Sequence, residues 1–119
     1  MCELIQIQKL LSGQRFDLQD EKKLQWQLSN LFAGSGISFK REHHIDGDNI
    51  IDFFIEGGIG IEVKIRTNYG KKAIFKQCER YLQFDSIQSL VLVTSRSMGF
   101  PEEINGKPCH VINISKAWL

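Results

Sequence analysis

Residues Asn49 to Lys64 run Asn-Ile-Ile-Asp-Phe-Phe-Ile-Glu-Gly-Gly-Ile-Gly-Ile-Glu-Val-Lys. Two apolar runs flank a Gly-Gly pair, the pattern of two strands joined by a tight turn. Asp52 lies inside the first run, Glu62 and Lys64 inside the second. Charged groups within Ile/Phe/Val-rich strands are costly to bury unless they are paired or hold a metal. Three of them converging on one hairpin mark a candidate metal-dependent site.

Convergence depends on register. Along the second strand Ile59, Ile61, Val63 and Ile65 share one face, and Glu62, Lys64 and Arg66 share the other. A two-residue Gly57-Gly58 turn sets Phe53 opposite Glu62 and drops Asp52 onto the apolar face. A three-residue loop, Glu56-Gly57-Gly58, sets Asp52 opposite Glu62, Phe53 opposite Ile61 and Ile51 facing Val63. A slip of one residue swaps every face, so the apolar pattern favours the odd-length loop. Gly58 can take the left-handed conformation such a turn needs. Directly opposed residues have Cβ atoms about 4.5–5.5 Å apart, close enough for two carboxylates to share one divalent ion. Oxygen donors suit a hard cation, Mg²⁺ or Mn²⁺. A solvated charged face on a half-exposed hairpin would show the same Glu62-x-Lys64 alternation.

A basic stretch adjoins this hairpin. Lys64, Arg66, Lys71, Lys72, Lys76 and Arg80 are opposed only by Glu79, while Asp46, Asp48, Asp52 and Glu56 precede them. Cations beside an acidic metal site suit a phosphate-backbone substrate, since they attract what bare carboxylates repel. A solvated helix face is the plainer explanation of the same lysines.

The remaining elements follow from periodicity. Cys2 to Leu11 reads as a short helix ended by Gly13. Asp17 is the expected cap of a longer helix, about Leu18 to Phe32, closing at Gly34 or Gly36. Leu24, Leu28 and Leu31 form its apolar stripe, and Glu21, three residues before Leu24, falls on that stripe. Ile37 to Ile45 is a strand with Asp46-Gly47-Asp48 as its turn. Tyr69 to Phe84 is an amphipathic helix with Ile74, Cys78, Tyr81 and Leu82 inward. Leu90 to Thr94 and His110 to Ile114 are short strands, separated by a loop or short helix holding Pro101 and Pro108. On the amphipathic helix Gln77 and Tyr81 are four residues apart and share a side. Gln77 sits beside apolar positions, so its amide needs partners.

Composition narrows the setting. The chain has 119 residues and a formal net charge of +1, enough for one domain with a real core and too balanced for an all-round electrostatic binder. No apolar run approaches the roughly 20 residues that span a bilayer, and the N-terminus lacks the pattern of a secretion signal. Cys2, Cys78 and Cys109 are odd in number and lack zinc spacing, which points to reduced thiols in the cytoplasm. His43 and His44 follow Glu42 near the site strand, and His110 reads as structural. Trp26 and Trp118 suit core or interface packing more than base stacking. The tail Ala117-Trp118-Leu119 suits a sheet edge or a second subunit.

Taken in order, these residues resemble the PD-(D/E)XK nuclease superfamily: a helical acid (Glu21), an acid on one strand (Asp52), acid-x-Lys on the next (Glu62, Lys64), then a helix. Gln77-Cys-Glu-Arg-Tyr81 is similar to the Gln-x-x-x-Tyr signature of the RecB-like branch, which includes small nucleases akin to Holliday-junction resolvases. Ile51 stands where the family name has proline. The resemblance spans about Asp17 to Ile114. It implies an α/β, restriction-endonuclease-like core, with a central mixed β-sheet flanked by helices, and metal-dependent hydrolysis of DNA phosphodiester bonds. It implies metal ligation by Asp52 and Glu62, with Glu21 and the Val63 carbonyl as further contacts, and Lys64 acting on water or phosphate. Gln77 and Tyr81 would orient substrate or support the site; Arg66, Lys71, Lys72, Lys76 and Arg80 would track the backbone. A homodimer would let so small a chain grip both strands. Two rivals stay open: a non-catalytic nucleic-acid-binding or inhibitor module on the same fold, and a protein-interaction domain whose hairpin charges are incidental.

Overall fold

The computed structural model describes residues 4–12, 14–65 and 70–115. Over these residues the chain is an α/β fold of three helices and a six-stranded mixed sheet. Helix α1 (Leu4–Leu11) and helix α2 (Glu21–Gly34) precede strands β1 (Phe39–His44), β2 (Ile50–Ile55) and β3 (Ile59–Lys64). Helix α3 (Lys71–Tyr81) leads to β4 (Ser89–Thr94), β5 (Glu103–Ile104) and β6 (Lys107–Asn113). The strand order is β1-β2-β3-β4-β6-β5. β1, β2 and β3 are successively antiparallel; β4 lies parallel to both β3 and β6; β5 folds back on β6.

Helices cover both faces. Ile7, Leu11, Leu24, Leu28 and Phe32 of α1 and α2 pack on Phe53, Ile61, Val63, Val91 and Val93. On the opposite face Ile74, Cys78 and Tyr81 of α3 pack on Leu90, Leu92 and Cys109. All six residues of β4 are therefore buried, as expected of a strand roofed on both sides. Cys78 and Cys109 are free buried thiols; Cys2 lies outside the described residues.

Several boundaries differ from the sequence expectations. Asp20, not Asp17, caps α2: its backbone is extended and its carboxylate accepts the Lys22 and Lys23 N–H groups. Asp17 instead closes the preceding turn by accepting from Gln19 and Asp20 N–H. Both are local side-chain-to-backbone bonds open to an aspartate, and the later residue won the helix. Gly36, at φ +73°, ends α2 with Ile37 N–H returning to the Phe32 carbonyl at 2.9 Å. Pro108 lies within β6 rather than a loop. Its missing N–H is tolerated beside the two-residue β5, in a hairpin turned by Asn105 and Gly106 at φ 57° and 75°.

Candidate active site

The β2–β3 loop is the three-residue Glu56-Gly57-Gly58, with φ +102° and +88° at the two glycines. Phe53 pairs with Ile61, Phe54 with Gly60 and Ile55 with Ile59. Continued by one residue, that register sets Asp52 opposite Glu62, as the apolar pattern predicts. The backbone ladder stops there. Beyond it the Asp52 N–H donates to Glu62 Oε1 at 3.1 Å, and the Val63 N–H donates to Asp52 Oδ2 at 2.8 Å. Each carboxylate has taken the place of a ladder carbonyl on the facing strand.

This opening coincides with a change of face. An ideal strand keeps Ile51, Phe53 and Ile55 together. Here Phe53 and Ile55 join the α1/α2 side while Ile51 joins the α3 side. The expected Ile51–Val63 contact across the hairpin is therefore overturned, because Val63 stays with Phe53. Ile51 instead lies over Gly60, where a Cβ would run into its Cδ1. β1 follows the same turn. Glu42, opposite Asp52 in the β1–β2 register, has φ +48°. Arg41 reaches the α2 side, over Phe53 at 5.7 Å and bonded to Gln25 at 3.1 Å, whereas His43 stacks on Phe54 at 4.5 Å. The twist aims the Asp52 carboxylate into the gap between β2 and β3.

Glu62 is 3 % exposed, and Lys64 Nζ lies 3.3 Å from Glu62 Oε2. Burial, and then repulsion from Asp52, carry the Glu62 carboxyl to about 8, with Lys64 opposing the rise. Asp52 is also raised, first by burial; the Val63 N–H and Lys64 pull against this, and Glu21 adds to it. Glu21 is the first residue of α2, and its Oε1 accepts the Ile65 N–H at 3.0 Å. Asp52, Glu62 and Lys64 thus meet near the C-terminal end of β3, with Glu21 of α2 near enough for its charge to bear on Asp52. Val63 turns its side chain into the core and its N–H to Asp52.

Tyr81 is buried, and its hydroxyl donates to the Ile50 carbonyl at 2.9 Å while accepting from Gln77 Nε2 at 3.0 Å. Arg80 Nε donates to Asn49 Oδ1 at 2.8 Å. These bonds tie α3 to the start of β2, two residues from Asp52. Nearby carboxylates and burial both push the Tyr81 phenol up, burial most. Lys71, Lys72 and Lys76 are exposed on α3; Arg66, Tyr69, Trp118 and the tail lie outside the described residues. Trp26 is 60 % exposed and so is not a core residue. Burial, then Lys40 and His44, hold His43 below its ordinary range. His110 Nδ1 pairs with Gln8 Nε2 at 3.0 Å.

A cleft of about 590 Å³ between Gln6, Ser35–Ser38 and Ile55–Gly57 sits at the hairpin end of the sheet, away from the carboxylates. Among the described residues no group of three or more His, Cys, Asp and Glu side chains is arranged around a single ion. Mg²⁺ does not require one: it keeps waters and is held by one or two carboxylates plus substrate phosphate. Asp52 and Glu62, facing each other across β2 and β3, offer the hard oxygen donors that this demand calls for once they are ionised. No helix among the described residues is long and apolar enough to cross a membrane. No protein-family model, curated protein or solved structure matches the chain.

Proposed function

We propose that this protein is a divalent-metal-dependent deoxyribonuclease of the cytoplasm, an endonuclease that is structure-selective or weakly sequence-specific, on a restriction-endonuclease-like core. The observation that carries this reading is the open end of the β2–β3 ladder. There Asp52 and Glu62 accept each other's strand N–H groups and Lys64 lies 3.3 Å from Glu62. A purely structural hairpin has no need of a buried and a half-buried carboxylate where backbone carbonyls would serve. The element order, helix then three antiparallel strands then helix then parallel strand, agrees with the PD-(D/E)XK resemblance.

In this reading Asp52 and Glu62 would hold Mg²⁺ or Mn²⁺, with Glu21 and the Val63 carbonyl as the further contacts that the resemblance implies. A divalent ion held there would supply acidification of water and neutralisation of charge on the phosphate. Lys64, fixed by Glu62, donates hydrogen bonds to the attacking water or to a non-bridging phosphate oxygen, where charge grows in the transition state. Gln77 and Tyr81 are positioning residues: through the Ile50 carbonyl they fix the strand that carries Asp52. Lys72, Lys76 and Arg80, spaced by four on α3, share a side and track the DNA backbone together with Arg66 and Lys71. The test is cleavage of linear, single-stranded and branched DNA by wild type and Glu62→Ala with magnesium, manganese or EDTA. Metal-dependent cutting that the substitution abolishes is expected. Binding without cutting under any metal would leave only the non-catalytic module.

A further inference from the structure

A second concavity lies at the end of the sheet where the carboxylates meet. β3 and β4 are parallel, with Lys64 level with Thr94. Beyond them Ser95 Oγ donates to the Ile65 carbonyl at 3.2 Å, so the segments leaving both strands run side by side. The segment after β4 then meets the first turns of α3. Lys71, Lys72, Phe75, Gly99, Phe100 and Pro101 enclose a cleft of about 400 Å³, within the size range of small-ligand sites.

The walls of this cleft are of two kinds. Phe75 and Phe100 are half-buried and meet edge to face, with centroids 5.3 Å apart at 78°. That geometry makes an L-shaped apolar wall and leaves ring surface uncovered. Lys71 and Lys72 stand beside it at the start of α3. Neither has an ion-pair partner among the described residues, no acid lies in the first turn of the helix, and Gly70 offers no side-chain cap. Two cations at the positive end of a helix oppose its dipole, and an anion between them removes the conflict. Lys71 Nζ lies so close to Gly99 that a Cβ there would come within 3.1 Å of it. The absence of a side chain at 99 leaves room for the amine at the mouth of the cleft.

We propose that this cleft is a subsite for one unpaired nucleotide of a DNA strand, its base against Phe100 and Phe75 and its phosphate between Lys71 and Lys72. The proposal rests on the nuclease reading for its substrate and adds a selectivity to it. A base in continuous duplex has both faces covered by its neighbours, so only an unstacked base can enter such a slot. The preferred substrate is therefore single-stranded DNA, or duplex with a single-stranded flap or junction beside the cut. Phe100 sets that preference, and the lysines add salt-dependent affinity for any strand.

The test is binding in EDTA, followed by fluorescence anisotropy, of wild type, Phe100→Ala and Phe100→Leu. The probes are a labelled single-stranded oligodeoxynucleotide, the same strand with an abasic spacer stepped along it, and a blunt duplex hairpin. Base stacking on an aromatic ring contributes enough that Phe100→Ala should weaken single-strand binding about ten-fold, with duplex affinity unchanged. One abasic position should reproduce that loss in wild type and add nothing in the variant. Phe100→Leu keeps the apolar wall, so a loss shared by Phe100→Leu under an unchanged thermal transition is a loss of stacking and not of folding. Equal weakening toward single strand and duplex, or no weakening, overturns the subsite. Cleavage by wild type with magnesium is measured alongside. Selective binding without any cleavage would keep the subsite and sink the nuclease reading. Cleavage with Phe100-insensitive binding would do the reverse.

Discussion

Glu62→Gln in the metal-free protein removes a charge and little else. The amide oxygen can still accept the Asp52 N–H that Glu62 Oε1 now takes at 3.1 Å. Burial and Asp52 hold the Glu62 carboxyl at about 8, against an ordinary 4.5. A carboxyl raised in the fold contributes fully when protonated, below its unfolded value, and that contribution is lost as pH rises through the folded value. One pKa unit corresponds to about 1.4 kcal/mol, so ionising Glu62 in place costs about 5 kcal/mol near pH 9. The cost is about 3 kcal/mol near pH 7 and under about 1 kcal/mol near pH 5. The pull of Lys64, whose side chain is 14 % exposed, already opposes the rise of Glu62 and is contained in that value of about 8. Glu62→Gln should therefore be the more stable protein at neutral and alkaline pH, and the two should converge on acidification. Urea denaturation in EDTA across that pH range measures the difference. A variant less stable than wild type near pH 9 would refute the reasoning, because the carboxylate would then be a net stabiliser through Lys64. Magnesium supplies the second arm: it should raise wild-type stability by mass action and the variant's much less.

Lys64→Ala should lower metal-dependent DNA cleavage about 10²–10³-fold, the usual effect of removing one transition-state donor; single-turnover rates at the wild-type level would take Lys64 out of the mechanism. Gly60→Ala should destabilise by about 1–3 kcal/mol, since the new methyl meets Ile51, Leu90 and Ile87; thermal melting at matched pH decides it. Tyr81→Phe should cost about 1–3 kcal/mol by stranding the Ile50 carbonyl and the Gln77 amide. It should also reduce cleavage without altering the metal concentration needed, whereas a shifted metal requirement would place Tyr81 at the ion itself.

The sheet was legible where the chemistry of short range agreed with that of long range. Alternation along Ile59 to Ile65 set the faces of β3, and the demand that apolar residues meet across the hairpin selected the loop of Glu56, Gly57 and Gly58. The same alternation misled at Ile51. Nothing local distinguishes it from Phe53, and its place on the α3 side needs the room that Gly60 on the neighbouring strand leaves beside Leu90 and Ile87. Asp17 and Asp20 are both chemically able to cap a helix, and the choice rests on which turn docks Glu21 against Ile65. The β5–β6 hairpin was missed although Asn105-Gly106 is a strong turn signal, because β5 is too short to show alternation. For the site, Asp52, Glu62, Lys64 and Glu21 could be named from residue type and facing. That the carboxylates replace ladder carbonyls, and that Phe75 meets Phe100, could not, since both depend on segments distant in the chain.

The left-handed residue at Glu42 also bears on how the molecule keeps to itself. β1 is the outer strand of the sheet, and among the described residues its far side faces no other strand. Open edges of this kind are templates on which further chains can add and aggregate. A strand that turns over halfway, at Glu42, offers an incoming chain no straight row of donors and acceptors, and Lys40, Arg41 and Glu42 put charge along the exposed margin. The bend that opens the ladder at Asp52 thus also closes the sheet to growth on that side.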